Sequence, residues 1–360
     1  MKQKYYSCEN IKKVNADYNI VLGERSNGKS YAICVECLTD AWENDGLFVY
    51  LRRWKDETQN VKVEAYFNDK PIEKITKGQA TTILCYRQEL FFANIDETGK
   101  KIPVKKCGCV MYLKGEQRYK SMAFPDYKNI LFEEMITKDG YLYDEPLLLQ
   151  SLVSTVFRRR KGRVWLIGNK ISRVCPYFSF WQLTNTTKQK NGTIDVYNFE
   201  TSQNDEETGE KITVKIAVEM TDNATNNSKM FFGQTSKMTT GGEWESKDYP
   251  KLLKPKKEYT TLYRILLEYD SFNFWIEILI DNASRETLLY IYPCGKNKEK
   301  FDRKISDRFD LNVLTTPNLT QITKGDILVD NLLKNRKVCY SDNLTGADFE
   351  NIIKSKGGKL

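Results

Sequence analysis

The apolar residues of this chain first gather into short unbroken runs. Tyr18-Asn19-Ile20-Val21-Leu22, Leu47–Leu51, Asn129–Phe132 and Val164–Ile167 are each followed by glycine, polar or charged residues. Continuous apolar strands, as opposed to alternating ones, suit a parallel sheet buried on both faces, with ligands bound beyond the carboxyl ends of the strands. Ser30–Leu38 reads as a helix after the first run. Leu147–Arg160 reads as another, with Leu148, Leu152, Val156 and Phe157 near one face. Residues 1–190 therefore predict an α/β domain with a mostly parallel sheet. Within it, Thr81–Arg87, Glu89–Asn94 and Cys109–Leu113 surround turn-rich residues and predict an antiparallel insertion over about 60–126.

Residues 191–257 are polar and rich in Thr, Asn and Lys. Asn204–Gly209, Asn223–Ser228 and Thr239–Gly242 are loop material, so the span reads as a linker, with strand structure around Ile212–Val218. A second unit, 258–360, opens with three strand candidates, Tyr263–Tyr269, Asn273–Ile280 and Thr287–Tyr292. Helical patterns follow near Lys324–Arg336 and Gly346–Lys354, which together predict a small α/β domain.

Composition narrows the chemistry. A chain of 360 residues, 40% hydrophobic and 29% charged, has room for two ordinary cores. No run approaches about 18 consecutive apolar residues, so no membrane span is expected. Met1–Tyr6 lacks an apolar signal core, and nine cysteines form no paired framework, which points to reduced thiols in a cytoplasm. A net charge of +8 favours polyanionic partners. Histidine is absent, which excludes Ser-His-Asp and Cys-His hydrolysis and His-ligated metals. Carboxylates, Lys, Arg, backbone dipoles and a hard metal ion remain, and phosphoryl transfer needs only those.

The sequence supplies a place for that chemistry. Gly23-Glu24-Arg25-Ser26-Asn27-Gly28-Lys29-Ser30 fits the phosphate-binding loop pattern, between a strand and a helix. Its N–H groups and the helix dipole would converge on the phosphates of ATP. Lys29 would reach the β- and γ-phosphates and Ser30 would ligate Mg²⁺. Glu133 and Glu134 end the Asn129–Phe132 strand, where one carboxylate can hold the metal and its neighbour can polarise the attacking water. The usual first residue of such a pair is Asp, so Glu133 could meet the metal directly or through water. Arg158 ends its helix in an Arg158-Arg159-Arg160-Lys161 run. It reads equally as a source of charge for a γ-phosphate and as a dipole-complementing helix end. Asn169 is either a γ-phosphate or water contact or a strand-end turn residue, and Lys55 is equally open. Cys34 and Cys37 lie in the helix after the loop and read as buried thiols, not as metal ligands.

Taken in order, GERSNGKSY, LFVYLRRWKDE, YFND, RYKSMAFPDYKNILFEEM, STVFRRR and LIGNKISRVCPYFSFW resemble the DNA-packaging ATPases of phi-29-type tailed bacteriophages, small relatives of terminase large subunits. The resemblance covers about the first 180 residues. It implies an ASCE-type P-loop ATPase domain, a linker, and a small RNase H-like domain. It further implies a homomeric ring of five subunits on the portal of a procapsid in the host cytoplasm, moving double-stranded DNA by ATP hydrolysis, often with a packaging RNA as adaptor. By the same resemblance Glu134 is the catalytic glutamate and Arg158 a finger acting in trans, with Arg159 and Arg160 competing for that role. Lys55 and Lys120 match family lysines near the nucleotide or the subunit interface.

Two rival readings concern the C-terminal unit and the motor itself. Glu268, Asp270, Glu277 and Asp281 could converge on two metals in a terminase-type nuclease, or line a solvated sheet face, and the family implied here packages without cutting. Lys296, Lys298, Lys300, Arg303, Lys304, Arg308, Lys334, Arg336 and Lys337 could meet phosphate backbones or simply solubilise the surface. The other rival is a scaffold protein switched by bound nucleotide.

Overall fold

The computed structural model describes residues 5–137, 140–204, 209–221, 248–269, 272–295, 300–306 and 323–355. They fall into two units, each taken by itself below.

The first unit contains α1 (Glu9–Val14), β1 (Tyr18–Gly23), α2 (Lys29–Glu43), β2 (Leu47–Arg52), α3 (Asn60–Phe67), α4 (Ile72–Ile75), β3 (Thr82–Tyr86), β4 (Glu89–Ile95), β5 (Lys101–Tyr112), β6 (Tyr127–Phe132), α5 (Glu145–Phe157) and β7 (Arg163–Asn169). It is completed by β8 (Thr193–Asn204) and β9 (Lys211–Met220). The nine strands form one sheet in the order β3-β4-β5-β2-β6-β7-β1-β9-β8. From β5 to β9 every neighbouring pair is parallel, so the carboxyl ends of these strands share one edge. The expected α/β class with a mostly parallel sheet is therefore the observed one. Every residue of β1 is buried, as the unbroken apolar runs require. The register sets Gly23 opposite Asn169 and Leu51 opposite Phe132. One strand, β7, thus separates the phosphate-loop strand from the one ending in Glu133-Glu134.

Three details differ from the sequence expectation. The span read as a linker supplies β8 and β9. The strand expected around Ile212–Val218 is β9, whereas polar composition hid β8, a largely exposed edge strand. The insertion is more than antiparallel strands. It begins with α3 and α4, and β5 pairs antiparallel with β4 but parallel with β2. Finally, α5 stops at Phe157, and its buried seam runs through Leu149, with Leu148 only half-buried. Arg158 and Arg159 turn the chain with φ of 42° and 68°. A Cβ at Gly162 would fall 2.4 Å from the Phe157 ring, so the turn closes over that ring only because glycine stands there.

The second unit combines Ile171–Thr184, which includes α6 (Pro176–Phe180), with the C-terminal part of the chain. Arg173 pairs with Asp348, and Val174 lies in this unit's core, so the segment after Lys170 belongs here despite its place in the sequence. A five-stranded sheet orders β10 (Tyr259–Tyr269), β11 (Phe272–Asp281), β12 (Thr287–Pro293), β13 (Arg303–Ser306) and β14 (Val338–Tyr340) as β13-β10-β11-β12-β14. The central three strands form an antiparallel meander, and β13 and β14 run parallel to their neighbours. Ile265, Leu267, Phe274, Ile276, Ile278, Leu289 and Ile291 project from one face. They pack with Leu332 of α7 (Lys324–Lys334) and with Phe349 and Ile352 of α8 (Asn343–Ser355).

Candidate nucleotide site

Between Gly23 and Lys29 the chain turns at the carboxyl edge of the sheet. Gly28 caps α2 with φ of 91°, which a side chain would strain. A Cβ on Gly23 would lie 1.9 Å from Thr221 Oγ1, so any side chain there would displace that hydroxyl. Thr221 Oγ1 accepts a hydrogen bond from Asn27 Nδ2 at 2.7 Å, and Asn27 Oδ1 accepts from the Lys29 N–H at 3.2 Å. The loop is braced from inside, while Arg25 and Ser26 are exposed on its crest.

Lys29 is buried. Its ammonium donates to the Glu24 carbonyl, to Asn27 Oδ1 at 3.1 Å and to Asn169 Oδ1 at 3.2 Å. Burial pulls its pKa down to about 7. The carboxylates of Glu133 and Glu24 oppose that shift, and the charge of Lys170 adds to it. A buried ammonium held only by neutral oxygens suits a polyanion, whose charge would repay the desolvation.

Beyond β7, at the end of β6, Glu133 Oε2 accepts from Ser30 Oγ at 3.0 Å. The tyrosine of α3, Tyr66, donates its hydroxyl to Glu133 Oε1 at 2.6 Å. Burial raises the Glu133 pKa, partly offset by those two donors. Ser30 and Glu133 are hard oxygen donors in direct contact, the kind of set that suits Mg²⁺. Glu133, one methylene longer than the usual Asp, reaches the loop serine without a bridging water.

Glu134 follows with φ of 58° and a side chain 61% exposed. Its Oε2 accepts from Arg52 Nη2 at 3.1 Å. The turn carrying Glu134 is held from beneath by Arg53, which donates to the carbonyls of Glu134 and Met135, both at 3.0 Å. Arg53 also makes a two-pronged pair with Glu145, at 2.8 Å on each prong, and both side chains are buried. Removing one partner of such a pair strands the other charge in the interior. Arg53→Ala is therefore expected to destabilise the protein by about 3–5 kcal/mol in a denaturant titration.

Arg158 and Lys120 stand elsewhere. Arg158 donates to the Met122 carbonyl at 2.6 Å and the Lys120 carbonyl at 3.4 Å, and Lys120 Nζ lies 3.7 Å from Glu116. These contacts lie where the chain enters β6 and β7, at the amino edge of the sheet. The length of β7, about 20 Å at about 3.3 Å per residue, separates that edge from Asn169 and the phosphate loop. Arg160 ties the loop before β6 to the end of α5. It donates to the carbonyls of Phe157, Val156, Phe124 and Pro125. Arg159 is exposed.

The family model for the podovirus DNA encapsidation protein (Gp16) matches residues 1–239. The chain belongs to that family. The DNA packaging protein of Bacillus phage phi29 is 29% identical over 198 residues, 54% of this chain and 55% of its own length. That of Bacillus phage B103 is 31% identical over 171 residues, 46% of this chain and 48% of its own. The chain thus spans about half the length of the curated relatives it matches. Among solved structures, the bacteriophage Phi-29 viral genome packaging motor assembly is similar in fold, with a TM-score of 0.53 at 22% identity and 97% of each chain covered.

In this encapsidation-protein fold, the sequence-expected residues form two groups. Gly23, Glu24, Arg25, Ser26, Asn27, Gly28, Lys29, Ser30, Glu133, Glu134 and Asn169 come together at the carboxyl edge, and Lys55 stands exposed in the turn after β2. Lys120 and Arg158 do not join them. Sequence reasoning missed Arg52, Arg53, Tyr66 and Thr221. Arg52 and Arg53 lie in the LFVYLRRWKDE segment and Tyr66 in YFND, both named for the resemblance without a role for these residues, and no local pattern marks Thr221.

Three of the four acids proposed for a nuclease, Glu268, Glu277 and Asp281, are each engaged by a cation. Glu277, with its side chain fully buried, pairs with Arg264 at 2.7 Å and Lys256 at 2.8 Å and accepts from the Tyr292 hydroxyl at 2.8 Å. Asp281 pairs with Lys254 at 2.7 Å and Glu268 with Lys304 at 2.8 Å, while Asp270 lies outside the described residues. Among the described residues, the acids and thiols that gather at metal-ligand spacing are Cys8, Glu9 and Glu36, in the first unit, and Lys12 pairs with both of those glutamates. Of the basic residues, Arg303 and Lys334 pair with Asp326 and Asp330, while Lys300, Arg336 and Lys337 are exposed. Lys296, Lys298 and Arg308 lie outside the described residues.

Proposed function

We propose that this chain is a subunit of a phage DNA-packaging motor that hydrolyses ATP and drives double-stranded DNA into a procapsid. The observation that carries the reading is the contact between Ser30, at the start of α2, and Glu133, at the end of β6, with Glu134 beside it. The family match and the packaging names of the relatives support it. The first unit serves as the ATPase domain. The second serves as an RNase H-like domain in which Glu268, Glu277 and Asp281 are each paired with a lysine or arginine, a state that disfavours two-metal cleavage.

The loop N–H groups and Lys29 hold the triphosphate, and Asn169 sets the direction of the lysine. Ser30 and Glu133 would hold Mg²⁺, which would neutralise β- and γ-phosphate oxygens when bound. Glu134 accepts the proton of the water that attacks the γ-phosphorus. The bond from that phosphorus to the bridging oxygen breaks, and ADP and inorganic phosphate leave. Arg158 completes the site from a neighbouring subunit, since its own loop lies at the opposite sheet edge. The assembly is a homomeric ring of five subunits at the portal in the host cytoplasm, with a packaging RNA as a further partner.

The test is turnover of purified protein with double-stranded DNA and matching procapsids. DNA should become protected from nuclease with ATP and stay unprotected with a non-hydrolysable analogue. Turnover at the blank level with DNA and procapsids present would instead favour the nucleotide-switched scaffold. In the same preparation, supercoiled plasmid with Mg²⁺ or Mn²⁺ should stay intact, and nicking abolished by Asp281→Asn would restore the nuclease reading.

A further inference from the structure

Tyr66 stands on α3, the helix that opens the insertion, 67 residues before Glu133 in the chain. The insertion strands hold α3 in place. Glu64 accepts from the Cys85 N–H of β3 and from the Lys101 ammonium of β5, both at 2.8 Å. The Tyr66 ring is clamped in turn. Its centre lies 4.7 Å from that of Tyr50 on β2 and 5.1 Å from that of Phe67, which meets it edge-on. The Lys70 ammonium sits 4.6 Å from the ring centre and donates to the Tyr66 carbonyl at 2.8 Å. So held, the hydroxyl is aimed at Ser30 and Glu133 together. It donates to Glu133 Oε1 at 2.6 Å, and the Ser30 carbonyl is 3.4 Å away. The shorter distance is that of a charge-assisted O–H···O⁻ bond. The two oxygens of Glu133 therefore have different partners, a phenol on Oε1 and the Ser30 hydroxyl on Oε2. Phenylalanine would pack the same ring, so the hydroxyl serves the carboxylate and not the core.

We propose that Tyr66 is a positioning residue: it fixes the Glu133 carboxylate through Oε1 so that Oε2 stays at the loop serine, and so sets how strongly Mg²⁺ tightens nucleotide binding. The proposal rests on the reading of Ser30 and Glu133 as the metal-holding pair. The last torsion of a glutamate side chain is soft, and with no partner on Oε1 the carboxylate would be free to turn either oxygen, or neither, toward the loop. A ligand held in place beforehand loses less freedom when its ion binds. Groups that hydrogen-bond a metal ligand from behind contribute about 10- to 100-fold to metal affinity by this means. The insertion thereby supplies a side chain to the nucleotide site and is not a separate appendage of the sheet.

The experiment titrates the full chain with a fluorescent ATP analogue at graded Mg²⁺ and again in excess chelator. It compares the unaltered protein with Tyr66→Phe, Glu133→Gln and the double variant Tyr66→Phe/Glu133→Gln. Tyr66→Phe keeps the ring and its packing and removes only the donor. It should raise the Mg²⁺ concentration for half-maximal tightening by about 10-fold or more, with affinity in chelator unchanged. Adding Tyr66→Phe to Glu133→Gln should cost nothing more, since no carboxylate is left to orient. An unchanged Mg²⁺ requirement in Tyr66→Phe, an equal weakening in chelator, or a full further loss in the double variant would overturn the proposal. A Glu133→Gln protein with the Mg²⁺ dependence of the unaltered one would overturn the metal reading of Ser30 and Glu133 instead, and the premise of this proposal with it.

Discussion

Glu134→Gln is expected to bind ATP as the unaltered protein does and to hydrolyse it at least about 100-fold more slowly. The amide has the shape of the carboxylate and the same hydrogen bond acceptor for Arg52, but it cannot take a proton from water. Lys29, Ser30, Glu133 and Asn169 do not touch the Glu134 side chain through any hydrogen bond in the structure, so the phosphate cradle should be intact. The turn should survive as well, because Arg53 grips it through the carbonyls of residues 134 and 135, not through the side chain. Phosphate release and fluorescent-nucleotide titration, run on one preparation, separate the two effects. Turnover at the level of the unaltered protein would remove Glu134 from the role of base.

Arg158→Ala should be at least as damaging, since a finger arginine contributes about 10³- to 10⁵-fold to phosphoryl transfer. The geometry makes the prediction sharper than a simple loss. Arg158 and the phosphate loop of one chain occupy opposite edges of the same sheet, so a variant subunit spoils its neighbour's site and keeps its own loop able to bind nucleotide. Mixing Arg158→Ala with unaltered subunits should depress packaging by more than the variant's share of the mixture. A strictly proportional fall would argue against action in trans. Arg160 is not an equivalent choice for the finger, since four of its five N–H groups donate to the carbonyls of Val156, Phe157, Phe124 and Pro125.

How far the sequence could be read depended on how local each signal was. The phosphate loop, the apolar strands and the Glu133-Glu134 pair are contiguous patterns, and the structure brings them to one edge because parallel strands leave their carboxyl ends together. The supporting contacts were hidden by distance along the chain. Tyr66 and Glu133 are 67 residues apart, Arg53 and Glu145 are 92 apart, and Asn27 and Thr221 are 194 apart. A basic turn such as Arg52-Arg53 reads as solvated until a buried glutamate is found beneath it. The polar edge strand β8 read as a linker because it has no fully buried face to impose alternation. Lys120, which the resemblance puts near the nucleotide or the subunit interface, neighbours Arg158 in the structure, a contact that depends on how α5 packs.

The support that Thr221 gives the phosphate loop also limits how this protein can be shortened. A fragment cut at residue 190, where the sequence suggests the domain ends, would lack the whole row from Ile216 to Met220 that hydrogen-bonds β1. The strand delivering the cradle would then be a raw, sticky border, open to pairing with other molecules, and Asn27 would lose the hydroxyl that locks it. The smallest piece that could still grip a triphosphate must therefore extend past residue 221, and the family match, which runs to residue 239, takes in that stretch.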